Sequence, residues 1–172
     1  MKSILFSGLL IGSFLLVGCG KKTVNEGYYF QNFDDIKCWT NDQPTLSNTN
    51  RHSGDWSSKM DAEHEYSQTF AIDARRLKEF GYKRVKVSAW GYITDTQAKT
   101  ALIITVDAPE KTVDYSSSPF VEFVKGPKTW GKITGRLNIP DLQGKPAVLK
   151  IFAWASNKKE SYIDDVEIQF EK

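Results

Sequence analysis

The sequence predicts an all-β domain built as a two-sheet antiparallel sandwich. Period-two alternation of apolar and polar residues is the first sign. In Arg84–Ile93, Val85, Val87, Ala89, Gly91 and Ile93 fall on one side, and Lys86, Ser88, Trp90 and Tyr92 on the other. In Ala147–Ala155, Leu149, Ile151 and Ala153 oppose Lys150, Phe152 and Trp154. The second sign is regular punctuation: Gly126-Pro127, Pro140-Asp141 and Gly144-Lys145-Pro146 are turn signals between such runs. The third is size. With 172 residues, 40% hydrophobic and 26% charged, the chain has material for one ordinary core and is not disordered.

Taken from the N-terminus, the first segment is an address. Met1-Lys2 is a short basic start, and Ser3–Gly18 is an apolar run too short for a comfortable membrane span. It ends Leu16-Val17-Gly18-Cys19. These residues resemble a bacterial lipoprotein signal, which implies cleavage after residue 18 and lipidation of Cys19. Residues 20–27 (GKKTVNEG) are polar and read as a tether that spans at most about 28 Å. The resemblance implies anchoring in the cell envelope. Gly20 stands where Asp would look like an inner-membrane retention signal, so the outer membrane is favoured. Once Cys19 is consumed by lipid, Cys38 has no partner for an internal disulfide; beside Trp39 it reads as core packing.

The remaining residues, 28–172, read as the sandwich domain. Beside the two runs above, strands are expected at Gly27–Phe33, Trp56–Asp61, Tyr66–Ile72, Ala101–Ala108, Phe120–Val124, Thr129–Ile139 and Tyr162–Phe170. Asn41–Gly54 is expected as a long polar loop. One short helix is expected over Ala74–Phe80, with Asp73 as N-cap and Gly81 as its stop.

Composition excludes several functions. The 23 basic and 21 acidic residues give a net charge of +2, too little surplus for nucleic-acid binding. Two His and two Cys cannot build a Cys/His zinc cage. No nucleophile elbow or Gly-rich phosphate loop occurs. His52 and His64 sit in polar, loop-like contexts. Asp107, Glu110 and Asp114 are the carboxylates from which a glycosidase pair would be drawn, but acids at a strand end are usually just solvated. The chain therefore reads as a non-enzyme.

Five features occur in order: Asn32-Phe33-Asp34 followed by Trp39; His52-Ser53-Gly54-Asp55-Trp56-Ser57; Val87-Ser88-Ala89-Trp90; Trp130 leading to Leu137-Asn138-Ile139-Pro140; and Tyr162-Ile163-Asp164-Asp165-Val166. Together they resemble the galactose-binding-like jelly roll of many carbohydrate-binding modules. The resemblance implies a jelly-roll sandwich with Trp39 and Trp130 in the core. It also implies a structural calcium held by Asp34 and Asp164. Strand parity, which sets Asp164 on the side of Val166, Ile168 and Phe170, supports that reading, because a core-facing carboxylate needs a cation or several hydrogen bonds.

Trp90, Tyr92, Phe152 and Trp154 all lie on the polar rows, with Lys86, Ser88 and Lys150. Flat rings outside the core stack on the C–H faces of sugars, while polar neighbours take the hydroxyls. If the two strands share a sheet, these rings form one platform. The alternative is that loops cover them as a satellite core. Trp56, alternating with Ser58 and Met60, reads as structural. The expected function is a lipid-anchored module that binds polysaccharide or oligosaccharide near the envelope without cleaving it. The alternative is a structural envelope lipoprotein that turns the same aromatic face to a protein partner.

Overall fold

The computed structural model describes residues 27–35, 39–40 and 45–172. The leader, Cys19, the tether up to residue 26 and Cys38 lie outside the described residues. In chain order the elements are β1 (Tyr28–Gln31), β2 (Trp39–Thr40), β3 (Leu46–Ser47), β4 (Ser57–Met60), β5 (Thr69–Asp73), α1 (Ala74–Glu79), β6 (Arg84–Ile93), β7 (Thr100–Ala108), β8 (Lys111–Pro119), β9 (Trp130–Asn138), β10 (Val148–Ala155) and β11 (Ser161–Glu171). All pairing between these strands is antiparallel.

They form two sheets. Sheet A runs β3-β4-β11-β6-β9, with β1 added alongside the second half of β11. Sheet B runs β2-β5-β10-β7-β8. This is the expected two-sheet sandwich. The alternating residues make its core: Val85, Val87 and Ala89 of β6 face Leu149, Ile151 and Ala153 of β10, all buried. The Val, Leu and Ile side chains among them contribute roughly 1.5–3 kcal/mol each when fully buried. Phe33, Trp39 and Phe70 close one region with ring contacts, Phe33–Trp39 edge-on at 5.5 Å and Trp39–Phe70 tilted at 5.8 Å. Helix α1 starts as expected: the Asp73 carboxylate accepts from Arg75 N–H, and Leu77 seals the core beneath.

Two local expectations are corrected, and one strand is added. Phe120–Val124 is not a strand; Phe120–Glu122 is a 3-10 turn that drives Phe120 into the core. Its apolar residues mimic a strand, but a single turn suffices to bury one ring. The strand lies just before it, in β8, whose sequence KTVDYSSSP carries almost no apolar signal. Within the expected loop Asn41–Gly54, Leu46–Ser47 pairs with β4.

Candidate functional site

The register assigns the polar rows to faces. Residues directly opposite one another in a ladder share a face. On β10, Lys150, Phe152 and Trp154 lie opposite Thr105, Ile103 and Ala101 of β7, and these lie opposite Tyr115, Ser117 and Pro119 of β8. This is the outer face of sheet B. Tyr66 bridges to Trp154 from the segment before β5.

The expected four-ring platform is not formed. Trp90 and Tyr92 stand on β6 in sheet A, and Phe152 and Trp154 on β10 in sheet B, so their outer faces point away from each other. Period-two alternation sorts residues within a strand; it carries no information on which sheet the strand joins.

On sheet A the rings are covered. His52 stacks on Trp90 with centroids 3.9 Å apart and planes at 13°, and meets Trp130 edge-on at 5.6 Å. Tyr92 packs against Trp130 at 5.2 Å and Tyr162 at 5.7 Å, and is only 8% exposed. Trp130, expected in the main core, belongs to this satellite cluster on the outer face instead. Trp56 precedes β4 and is exposed, so it is not a strand-buried partner of Ser58 and Met60. Lys86 is ion-paired with Glu171 at 2.5 Å, and Ser88 donates to Glu167 at 3.2 Å.

The parity argument for Asp164 also fails, for a local reason. A β-bulge between Asp164 and Glu167 puts Asp165 at φ 45° and adds one residue to β11. Beyond it the parity flips. Asp164 lies opposite Trp90, on the outer face, and is fully buried there by the segment around His52. Its carboxylate accepts from the N–H groups of His52 at 2.8 Å, Ser53 at 3.2 Å and Asp165 at 2.7 Å. Asp165 takes the His52 ring at Nδ1, 2.6 Å, and the Ser53 hydroxyl. Asp34 accepts from Asp55 N–H at 2.8 Å, Trp56 N–H at 3.1 Å and the Asn32 amide at 2.9 Å. Gly54 permits this: its φ is +57°, and a Cβ there would run into the Asp34 carboxylate.

This donor set does not fit calcium. Calcium wants six to eight oxygens, whereas N–H groups already converge on both carboxylates, and their positive ends repel a cation. Among the described residues no cluster of three or more His, Cys, Asp or Glu side chains is arranged to hold a metal. Asp34, Asp164 and Asp165 staple the 52–56 segment over the aromatic cluster. Burial pushes the Asp164 carboxyl up to about 6, despite the three N–H donors.

The outer face of sheet B stays open. Tyr66 and Trp154 lie nearly parallel, 8° between planes and 6.2 Å between centroids, and Phe152 meets Tyr66 edge-on at 5.8 Å. Tyr115 is 66% exposed, Tyr66 44% and Trp154 38%. They border a depression of about 580 Å³ that also holds Thr105 and Ser117. The Trp154 indole donates toward Glu65 at 3.4 Å, which aligns the ring. Lys150 pairs with Asp107 at 3.2 Å at the end of the same face. Burial first, and Glu65 second, hold the Tyr66 phenol above its ordinary range, so it remains a neutral donor. Two of these four rings, Tyr66 and Tyr115, carry no signal in the sequence. Tyr115 sits in a polar strand, and Tyr66 in a segment that pairs only through one bridge.

Of the acids from which a glycosidase pair would be drawn, Asp107 and Asp114 lie on opposite faces of the β7–β8 ladder. Asp107 lies opposite Thr112 on the outer face, and Asp114 opposite Val106 on the inner side. Asp107 is engaged by Lys150 and the hydroxyls of Thr105 and Thr112.

No family model and no curated protein sequence matches the chain. Solved structures do. The C-terminal family 22 carbohydrate-binding module of Clostridium thermocellum Xyn10B superposes with a TM-score of 0.56 at 15% identity, covering 85% of this chain and 94% of that one. The CBM22-2 xylan-binding domain of Paenibacillus barcinonensis Xyn10C gives 0.54 at 15% identity, over 83% and 99%. The CBM35 of Cellvibrio japonicus Abf62 gives 0.53 at 11% identity, over 82% and 91%. The likeness is one of fold: a jelly-roll β-sandwich.

Proposed function

We propose that this chain is a lipid-anchored, non-catalytic carbohydrate-binding module that holds glycan at the cell envelope, in the outer membrane. The observation that carries the reading is the open face of sheet B, where Tyr66, Trp154, Phe152 and Tyr115 border one hydroxyl-lined depression. Exposed aromatic surface of this kind on a monomer marks a binding site, and ring faces beside the hydroxyls of Thr105, Thr112, Ser117 and Ser156 suit sugars. Xylan is the named ligand of structural neighbours at low identity, which makes soluble xylan and xylo-oligosaccharides the first probes. The separation of Asp107 from Asp114 supports binding without hydrolysis. Anchoring rests on Leu16–Cys19, with residues 19–27 as lipidated Cys and tether and 28–172 as the domain.

The test is isothermal titration of the domain with xylan and a panel of envelope and plant polysaccharides, beside Trp154→Ala. Micromolar to millimolar binding that the variant weakens about five- to fiftyfold is expected. Inert sugars, with one envelope protein captured through the same face, would transfer the site to a protein partner. Cys19→Ala should abolish acyl labelling and release the protein from membranes; retained acyl label would refute the anchor.

A further inference from the structure

The stretch that runs from Asp73 through α1 into β6 carries Arg75, Arg76, Lys78, Lys83, Arg84 and Lys86 against two acids, Asp73 and Glu79. Its surplus of four exceeds the +2 of the whole chain, so the remainder is net acidic. Ala74 and Leu77 turn into the core, which leaves the charged side chains of α1 outside. Arg75 is held by Asp73, and Arg84 and Lys86 by Glu171. Arg76, Lys78 and Lys83 carry no ion pair among the described residues. Phe80, the C-cap of α1, lies in sequence between Lys78 and Lys83 and is exposed. The adjoining turns, 107–111 and 140–147, add no surplus: Asp107 pairs with Lys150, and Glu110 and Asp141 are equalled in number by Lys111 and Lys145.

The chain enters the sandwich at this same patch. Gly27 lies against Tyr82: an added Cβ would meet the Tyr82 hydroxyl at 2.7 Å, and the Gly27 carbonyl accepts from Phe170 N–H. Tyr82 N–H donates to the Leu77 carbonyl of α1, and the Lys172 ammonium stands 5.7 Å from the Tyr82 ring. We infer that the α1 end is a membrane-docking face, with Arg76, Lys78 and Lys83 on anionic phospholipid headgroups and the Phe80 ring in the interface beside them. This contact is additional to the lipid proposed at Cys19, and its choice of occupant rests on that anchor. With Cys19 in the bilayer, a spacer of at most about 28 Å holds this end near the surface, at an effective concentration on the order of millimolar. Each Lys or Arg close to an anionic leaflet then adds about fivefold in partition. An exposed aromatic ring among cations is the pairing that suits the headgroup layer, where rings sit at the interface and ammonium and guanidinium groups meet phosphate. A soluble polyanion would use the charges and leave Phe80 idle.

The test is co-sedimentation of the mature chain with Cys19→Ala, made without its leader and therefore without lipid. The vesicles are phosphatidylcholine alone or with about 30% phosphatidylglycerol. Binding is expected to be at least about tenfold tighter to the anionic vesicles, and to weaken about tenfold when NaCl is raised from ~0.1 to ~0.5 M. Arg76→Gln, Lys78→Gln and Lys83→Gln together should cut partition on the order of a hundredfold, at about fivefold per charge. Lys21 and Lys22 are common to both proteins, so the difference belongs to the patch. Phe80→Ser should weaken binding about threefold or more. Unshifted melting curves check that these exposed changes leave the fold intact. Equal binding by the triple variant, or no preference for anionic vesicles, overturns the docking face. Polyphosphate bound as tightly as vesicles, with Phe80→Ser without effect, overturns it in favour of a soluble polyanion. Absence of acyl label at Cys19 of the full chain, with vesicle binding intact, overturns the anchor and leaves the docking face standing.

Discussion

Replacing Asp164 with Asn separates a hydrogen-bonded staple from a metal site through pH. The carboxyl is fully buried and its folded value of about 6 exceeds the ordinary 3.8, so the native state binds a proton more tightly than the unfolded chain. Its contribution to stability is therefore fully present below pH 3.8 and is lost as pH rises through 6. Integrating between those values, the wild type should gain about 2 kcal/mol on going from pH 7 to pH 4 through this group alone. Asp61 does not obscure the window. Burial would raise it, but the Lys59 ammonium and the N–H groups of Glu63 and His64 outweigh burial and hold it at about 2. Its stabilising contribution is lost only as pH falls through that lower range. Asn keeps one acceptor for the N–H groups and cannot ionise. Urea unfolding of both proteins, followed by tryptophan fluorescence at pH 4, 5.5 and 7, gives the difference directly. The gap between wild type and Asp164→Asn should shift by about 2 kcal/mol toward the wild type at pH 4. Parallel pH profiles for the two proteins would refute the assignment, and a profile that reverses when calcium is added would restore the metal.

Chelator should leave the melting temperature unchanged within about 1 °C, measured by differential scanning fluorimetry; a drop comparable to the ~2.7 kcal/mol of a well-saturated site would contradict the N–H staple. Gly54→Ala, at φ +57° and against the Asp34 carboxylate, should cost about 2 kcal/mol or more in urea unfolding, and a neutral result would show that the turn is not held by Asp34. Tyr92→Ala should destabilise the fold by about 3–5 kcal/mol, as removal of a buried ring does, and leave saccharide affinity intact. Loss of affinity without loss of stability would return Tyr92 to the binding surface.

What was legible in the sequence was what alternation can express. β6, β10 and the second half of β11 read correctly because apolar residues mark every second position along them. Strand β8 is not legible because its sequence is mostly polar and exposed, so it has no apolar row to display. Alternation sets Asp164 on the wrong face because one bulged residue inverts parity, and nothing in the run Tyr162–Val166 announces it beyond the Asp-Asp pair. Alternation alone marks Trp154 and Phe152 as outward rings, while their separation from Trp90 and Tyr92 is long-range topology. His52 passed as a loop residue, since stacking on Trp90 is decided by how the 52–56 segment is tied down.

The direction in which the chain joins the sandwich sets how the proposed binding face would be presented. Gly27 accepts from Phe170 N–H at 2.7 Å, at the end of the molecule that also carries α1 and the start of β10 at Val148. Trp154 and Tyr66 stand six residues further along β10, about 20 Å toward the opposite end. Under the proposed anchor the barrel of the sandwich becomes a stalk. With the bilayer beneath the α1 end, the rings would stand at the far tip, where the proposed glycan would be met before the lipid headgroups.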